Sequence, residues 1–349
     1  MSLVVRARAP LRLSFGGGGT DVSPYPEERG GVVLSTTIDK FAYATIQPRR
    51  DTKFEIHSID FDRTARYSHV RRLPFDGDLD LIKAVVRRFK PKRGASLVIH
   101  SDAPPGSGLG SSSTLVVALV AALREWLGTP LTAYEMAELA YTIERVDLGI
   151  AGGRQDQYAA AFGGFNFIEF QKDATIVNPL RVPEPALREL EYRLLLCYLR
   201  QTRSSADIIT RQRASYVARK KDVVQALDAL KARTYEMKRA LLLGDIDGFG
   251  EVLHESWTSK KKLDAGISTD PVDALYEKAR RAGAIGGKMP GAGGGGYFLV
   301  LSKSDRRHDV ARALEAAGGQ LVPFAFTHEG VTAWTAGSGR SGAARRKRA

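Results

Sequence analysis

Basic and apolar positions take turns along residues 3–13, and residues 31–47 are rich in β-branched and aromatic side chains; both segments predict strands. Residues 53–57 and 65–69 predict a further strand pair, 80–89 a helix, 95–101 a strand and 111–127 a long apolar helix. Residues 132–147 predict another helix, with Thr132 and Glu135 spaced as a capping box and Gly149 closing it. Strands follow at 166–170 and 193–198, then helices to about Lys262 and a helix at 271–282. A glycine-rich strand pair at 284–301, a helix at 305–317 and a strand near 321–327 complete the pattern. This order is not a regular alternation of strand and helix, so it predicts an α+β protein rather than a doubly wound sheet. The proline-bearing stretch 172–185 is the expected boundary between two domains, 1–180 and 181–335.

The 349 residues are 43% hydrophobic and 26% charged, enough apolar material for a real core. Cys197 is the single cysteine, which excludes an internal disulfide and a cysteine-based zinc site; its apolar neighbours predict a buried bystander. No apolar run reaches the roughly 18 residues of a membrane span, and residues 1–11 lack the apolar core of a secretory leader. The expectation is a cytoplasmic chain with no membrane partner.

The formal charge of +13 first suggests nucleic acid. Five of those charges, however, lie in residues 336–349, which carry no acid and no large apolar side chain and are expected to form a basic disordered tail. A second excess, eleven Lys and Arg against four Asp and Glu, lies in residues 200–240. It reads either as a solvated helix face or as a field that attracts an anionic substrate. Nucleic acid is therefore not the expected partner, and nothing in the chain specifies an oligomeric state.

The glycines are concentrated in three segments. Residues 104–114, PPGSGLGSSST, lie between a strand and a long helix. Gly106, Gly108 and Gly110, with Pro105, Ser107 and Leu109, form a loop whose backbone can approach a phosphate, and Ser111, Ser112 and Ser113 open a helix whose N–H groups and dipole favour an anion. There is no GK[ST] ending, so this is not a Walker A loop. Residues 8–21, RAPLRLSFGGGGTD, place four glycines after a strand, with Arg12 before them and Thr20 and Asp21 after. Gly18 and Gly19 permit close approach, and Asp21 reads either as an acceptor for sugar hydroxyls or as a turn residue. Residues 285–297, IGGKMPGAGGGGY, contain Lys288 and Gly293 and run into a strand, which suits either a substrate phosphate or a tightly packed facing domain.

In this order and spacing the three segments resemble the GHMP kinases, over about residues 6–334. The resemblance implies a two-domain fold, a ribosomal-protein-like α/β domain with a left-handed βαβ crossover followed by a ferredoxin-like α+β domain, with the site between them. It also implies ATP and Mg²⁺. The loop Pro105–Gly110 and the serines after it would hold the ATP phosphates, and Ser112 and Glu144 the metal, with Ser111 and Ser113 as alternatives in register. Asp156, in RQDQYAAAFGG, takes the place of the family's catalytic aspartate, and Arg12 that of a cation beside it. Thr20, Asp21, Gly18 and Gly19 would bind the sugar, Lys288 and Gly293 would lie near phosphate, and Arg203 and Arg154 would take a second phosphate on the acceptor. The string around GGGGTD is similar to the branch that phosphorylates the anomeric hydroxyl of a heptose 7-phosphate. Fucokinases share that signature, and a family member without catalysis is the remaining alternative.

Overall fold

The computed structural model describes residues 3–200 and 205–337. The first half runs β1 (Val4–Gly16), α1 (Tyr25–Arg29), β2 (Gly31–Pro48), β3 (Phe54–Ser58), β4 (Arg63–Tyr67), α2 (Asp80–Phe89) and β5 (Ala95–Ser101). It continues with α3 (Ser111–Leu127), α4 (Ala133–Tyr141), a π-helical turn (Thr142–Asp147), α5 (Gln155–Phe162), β6 (Asn166–Phe170) and β7 (Thr175–Pro179). The second half holds α6 (Glu184–Arg193), β8 (Leu194–Tyr198), α7 (Ser205–Val217), α8 (Lys221–Leu243), α9 (Ile246–Lys261) and α10 (Asp270–Arg281). After these come β9 (Ala284–Lys288), β10 (Tyr297–Ser302), α11 (Arg307–Ala316), β11 (Gln320–Leu321), β12 (Phe326–Thr327) and β13 (Thr332–Ala336).

The larger sheet has the order β13-β1-β2-β5-β3-β4, with β12 and β6 also on β2 and β7 on β6. Its pairs are antiparallel except β3 with β5, which are joined through β4 and α2. The smaller sheet is antiparallel throughout, in the order β11-β8-β10-β9. Its first strand lies between its fourth and third, the arrangement of a ferredoxin-like βαββαβ unit. The α+β architecture implied by the sequence is the one observed.

Local chemistry explains the elements that carry the site. α3 is apolar around most of its circumference, and eleven of its residues are buried, so it forms the spine of the first core. Left-handed glycines bound it, Gly110 before and Gly128 after. The Thr132 side chain accepts from the Glu135 N–H while the Glu135 carboxylate accepts from the Thr132 N–H, the expected capping box. The helix that begins there does not run as one α-helix to Asp147: the last turn widens to a π-helix, a device frequent at functional sites. Glu144 lies in that turn and is buried.

The domain division also differs from the expected one. The 172–185 stretch is not simply a linker, because 175–179 form β7 of the larger sheet. Nor does 181–335 stay together: β12 returns to β2, and β13 pairs with β1 from Val4↔Ala336 to Arg8↔Thr332. These strands are too short to announce themselves by alternation, and their pairing partners lie some 290 to 330 residues away. Ala336, expected in the tail, is the last residue of β13, and 338–349 lie outside the described residues.

A shared core joins the two sheets. Leu13, Phe15 and Leu34 of the larger sheet meet Leu196 and Leu299 of the smaller one and Phe249 of α9, all fully buried or nearly so. Phe15 and Phe249 meet edge to face, with ring centroids 5.3 Å apart. Phe249→Ala is expected to destabilise the protein by about 3–5 kcal/mol. Denaturant unfolding followed by tryptophan fluorescence checks this.

Candidate active site

The 104–110 loop bridges β5 and α3. Gly106, Gly108 and Gly110 all have positive φ, 73°, 87° and 78°, so only glycine adopts this path without strain. α3 carries no acid in its own first turn, so the N–H groups at its positive end are not capped from within the helix. Ser107, Ser111 and Ser113 are buried and Ser112 is exposed. Pro105 lines an adjoining cavity, and buried Leu109 gives its carbonyl to the Arg12 N–H. The third glycine segment packs directly on this loop: a Cβ on Gly291 would stand 2.7 Å from the Gly108 Cα, and one on Gly296 2.1 Å from the Ser107 carbonyl oxygen.

The first glycine segment folds over β2. Thr20 is fully buried; its hydroxyl lies 2.8 and 2.9 Å from the carbonyls of Gly17 and Val32 and accepts from the Val32 N–H. It pins the loop and does not line the cleft, contrary to its expected place on substrate. Gly18, Gly19 and Asp21 do line it. The Asp21 carboxylate accepts from the backbone N–H of Gly19 and of Gln155, at 3.0 and 3.1 Å.

Arg12 is 3% exposed, and each of its three guanidinium nitrogens contacts a protein oxygen. Nε and Nη2 reach Asp156 Oδ1 at 2.8 and 2.7 Å, and Nη1 donates to the Gly108 carbonyl at 2.6 Å. Asp156 lies in the first turn of α5, where the helix dipole favours its negative charge, and its side chain remains 22% exposed toward the cleft.

Glu144 Oε1 accepts from the Ser113 hydroxyl at 3.1 Å and Oε2 from the Gln157 amide at 2.6 Å. Burial pushes its carboxyl above the usual range, opposed by Arg145, whose Nη1 lies 3.9 Å away. Arg145 also donates to Ser113 Oγ, and to the carbonyls of Ile150 and Gly153 ahead of Asp156. A buried carboxylate and hydroxyls beside the phosphate loop are hard oxygen donors, a set that fits a divalent cation sharing its shell with phosphates and water. Ser113, not Ser112, is the serine hydrogen-bonded to Glu144. Among the described residues no cluster of three or more His, Cys, Asp or Glu could hold a metal by itself.

Other expected residues fall elsewhere. Lys288 is buried behind the cleft and donates to the Phe15 carbonyl; burial lowers its pKa well below the usual lysine value. Gly293 packs on Ile267 and does not line the cleft. Arg154 donates to Glu27 at 2.9 Å and lies over the Tyr141 ring, and Arg203 is outside the described residues. Cys197 is buried, its thiol pushed up to about 11 by burial. Much of the 200–240 basic excess is engaged: Arg211 bonds Asp264, Arg219 bonds Glu28, Arg233 bonds Glu255, and Lys231 bonds the Arg29 carbonyl.

Lys260 was not anticipated. It reaches the cleft from the last turn of α9, although it is only 4% exposed. Its Nζ donates to the Gly291 carbonyl at 2.5 Å. Burial and Arg12 lower its pKa to about 8, against Asp21 and Asp156. The signal was present: Leu253, Ser256, Trp257 and Lys260 share one helical face, so a lysine continues a buried stripe. Beside the cleft a second cavity of about 560 Å³, the size of a ligand pocket, shares Ser111 and Ser112 and is walled by Phe61, Leu79, Ile82 and Leu115.

Comparison with known proteins agrees with this geometry. The model of the GHMP kinases N terminal domain matches residues 80–164, and that of the GHMP kinases C terminal matches 237–320. The D-glycero-alpha-D-manno-heptose 7-phosphate kinase of Campylobacter jejuni is 40% identical over 336 residues, covering 95% of this chain and 98% of that protein. The chain belongs to the GHMP kinases. The crystal structure of a D-glycero-D-manno-heptose 1-phosphate kinase from Bacteroides thetaiotaomicron superposes with a TM-score of 0.80 at 38% identity, covering 96% of this chain and all of that one. The Lactococcus lactis galactokinase, at 22% identity and a TM-score of 0.74 over 94% and 95% of the two chains, shares the fold. As a GHMP kinase the chain is an ATP-dependent phosphotransferase with an alcohol group as acceptor, and no described helix is long and apolar enough to cross a membrane.

A Cβ on Gly153 would lie 1.9 Å from Asp21 Oδ2. Gly153→Ala is expected to displace that carboxylate and abolish turnover while nucleotide affinity is kept, which a fluorescent-nucleotide titration beside a turnover assay measures.

Proposed function

We propose that this GHMP kinase transfers the γ-phosphoryl group of ATP to the anomeric hydroxyl of D-glycero-D-manno-heptose 7-phosphate, giving the 1,7-bisphosphate for nucleotide-activated heptose synthesis in the cytoplasm. The observation that carries the reading is the Arg12–Asp156 pair facing Asp21 across a cleft that opens on the start of α3. Both heptose kinases among the relatives support the acceptor class.

The nucleotide base fits the cavity beside Phe61, and the phosphates lie over the 106–110 loop and the first turn of α3. Asp21 accepts from sugar hydroxyls. Asp156 takes the proton of the anomeric hydroxyl or holds that hydroxyl in line. Arg12 holds the aspartate in place and offsets charge on the transferred group. Mg²⁺, held by Glu144 with Ser113 or Ser112, would neutralise phosphate charge. With Arg154 engaged by Glu27, the reading does not depend on it for the 7-phosphate.

The test is ADP release with heptose 7-phosphate, heptose 1-phosphate, fucose, galactose and mannose as acceptors. Turnover is expected with the 7-phosphate, and none with heptose 1-phosphate, whose anomeric oxygen is already occupied. Asp156→Asn should lower kcat by about 10²–10⁴-fold. Preferential turnover of fucose would move the chain to the fucokinase-like reading, and no ADP with any sugar would end the proposal. Glu144→Gln is expected to raise the Mg²⁺ concentration needed for half-maximal rate, read from a metal titration at fixed ATP.

A further inference from the structure

Gly18 leaves a niche in the wall of the cleft. A Cβ there would meet the Gln155 amide nitrogen at 3.4 Å, Lys260 Nζ at 3.5 Å and the Ser14 hydroxyl at 3.6 Å. All three groups can donate, and the Ser14 hydroxyl is buried without a partner among the described residues. An orphaned buried hydroxyl next to a buried ammonium is a costly arrangement unless something anionic completes it.

The other cations near the cleft have their donors directed at protein. Arg12 holds Asp156 and Gly108, Arg145 holds Ser113 and two carbonyls, Arg154 holds Glu27, and Lys288 holds the Phe15 carbonyl. Lys260 and Lys288 each have three donors and one hydrogen bond to a carbonyl, but of the two it is Lys260 that lines the cleft. Gly291 abuts Gly108 of the phosphate loop, and Gly18 belongs to the first glycine segment, so the ammonium sits where all three glycine segments meet.

We infer that Lys260, with Ser14 and the Gln155 amide, forms the cradle for the equatorial oxygens of the phosphoryl group in flight, making Lys260 a catalytic residue. This rests on the kinase reading. In the step concerned, the bond from the acceptor oxygen to the γ-phosphorus forms as the bond from that phosphorus to the β–γ bridging oxygen breaks. ADP leaves with the electron pair, and the hydroxyl proton passes to Asp156. Charge on the equatorial oxygens is met by a donor already in place in a water-poor site. The groups facing Lys260 are Arg12 from β1, Asp21 from the first glycine segment, Asp156 from α5 and Lys288 from β9.

The experiment compares wild type, Lys260→Met, Lys260→Arg and Gly18→Ala. Gly18→Ala fills the niche at ordinary contact distances and at a backbone angle open to any residue, so it is expected to fold. Both Lys260→Met and Gly18→Ala should lower kcat by about 10²–10³-fold, with the KM of ATP and of the acceptor within about threefold of wild type. Wild-type kcat/KM should fall on the alkaline side with an apparent pKa of about 8, as the ammonium loses its proton. Lys260→Arg should keep more activity than Lys260→Met and lose that alkaline limb. A folded Lys260→Met or Gly18→Ala with near-normal kcat overturns the proposal. So does a loss confined to acceptor KM, which would assign the niche to the acceptor's own phosphate, or an alkaline limb that persists in Lys260→Arg, which would assign it to Lys288. If Lys260→Met fails to fold, the Gly18→Ala rate and the Lys260→Arg profile decide. Absence of ADP with wild type on any sugar fails the kinase reading instead.

Discussion

A guanidinium removed from water must find acceptors in the protein, and Arg12 finds them by joining three parts of the chain. Its side chain leaves β1 just past the irregularity between Pro10 and Arg12, takes the α5 carboxylate with two nitrogens and the phosphate-loop carbonyl with a third, while its own N–H holds Leu109. A buried ion pair of this kind adds little net stability, yet breaking it from one side is costly. Its value is positional. The distance from Asp156 to the phosphate loop is set by a planar fork that tolerates little change in angle.

The glycine segments serve this geometry in two ways. Those at 106, 108 and 110 turn the backbone so that α3 begins beside the cleft. Others remove side chains where segments touch: Gly17 against the Val32 carbonyl, Gly291 against Gly108, Gly296 against Ser107. Backbone packed on backbone leaves no soft side chain to absorb a shift. A displacement in one segment is therefore passed to the next, which suits a site that must hold two substrates in line.

Long elements with clear periodicity were legible in the sequence, and α2, β5 and α3 begin and end where spacing and caps predict. Glycine spacing marks the phosphate loop, whereas Arg12, Glu144 and Asp156 were expected through the resemblance to the GHMP kinases, and the fold brings all of them, with Asp21, to one cleft. Thr20 and Lys288 were misplaced for a common reason: a polar residue inside a motif can satisfy backbone carbonyls instead of facing the cleft. The register of the three serines needed the π-helical turn, which composition does not reveal. Lys260 was obscured by lying in a run of three lysines at a helix end, where a dipole-compensating surface role is the ordinary expectation.

The return of β12 to the larger sheet limits how the halves can move. Val322 is still bonded to Leu196 of the smaller sheet, and Ala325 is already bonded to Asp39 of the larger one. Only Pro323 and Phe324 lie between, and the three Cα steps from Val322 to Ala325 span at most about 11 Å. On the outbound side, Leu180 is held to Phe165 and α6 starts at Glu184. The halves are thus stitched along one edge by two short, proline-bearing crossings. Sliding apart is denied them. With the core that Phe15 and Phe249 share across the halves, that stitching holds the two walls of the cleft at one fixed spacing.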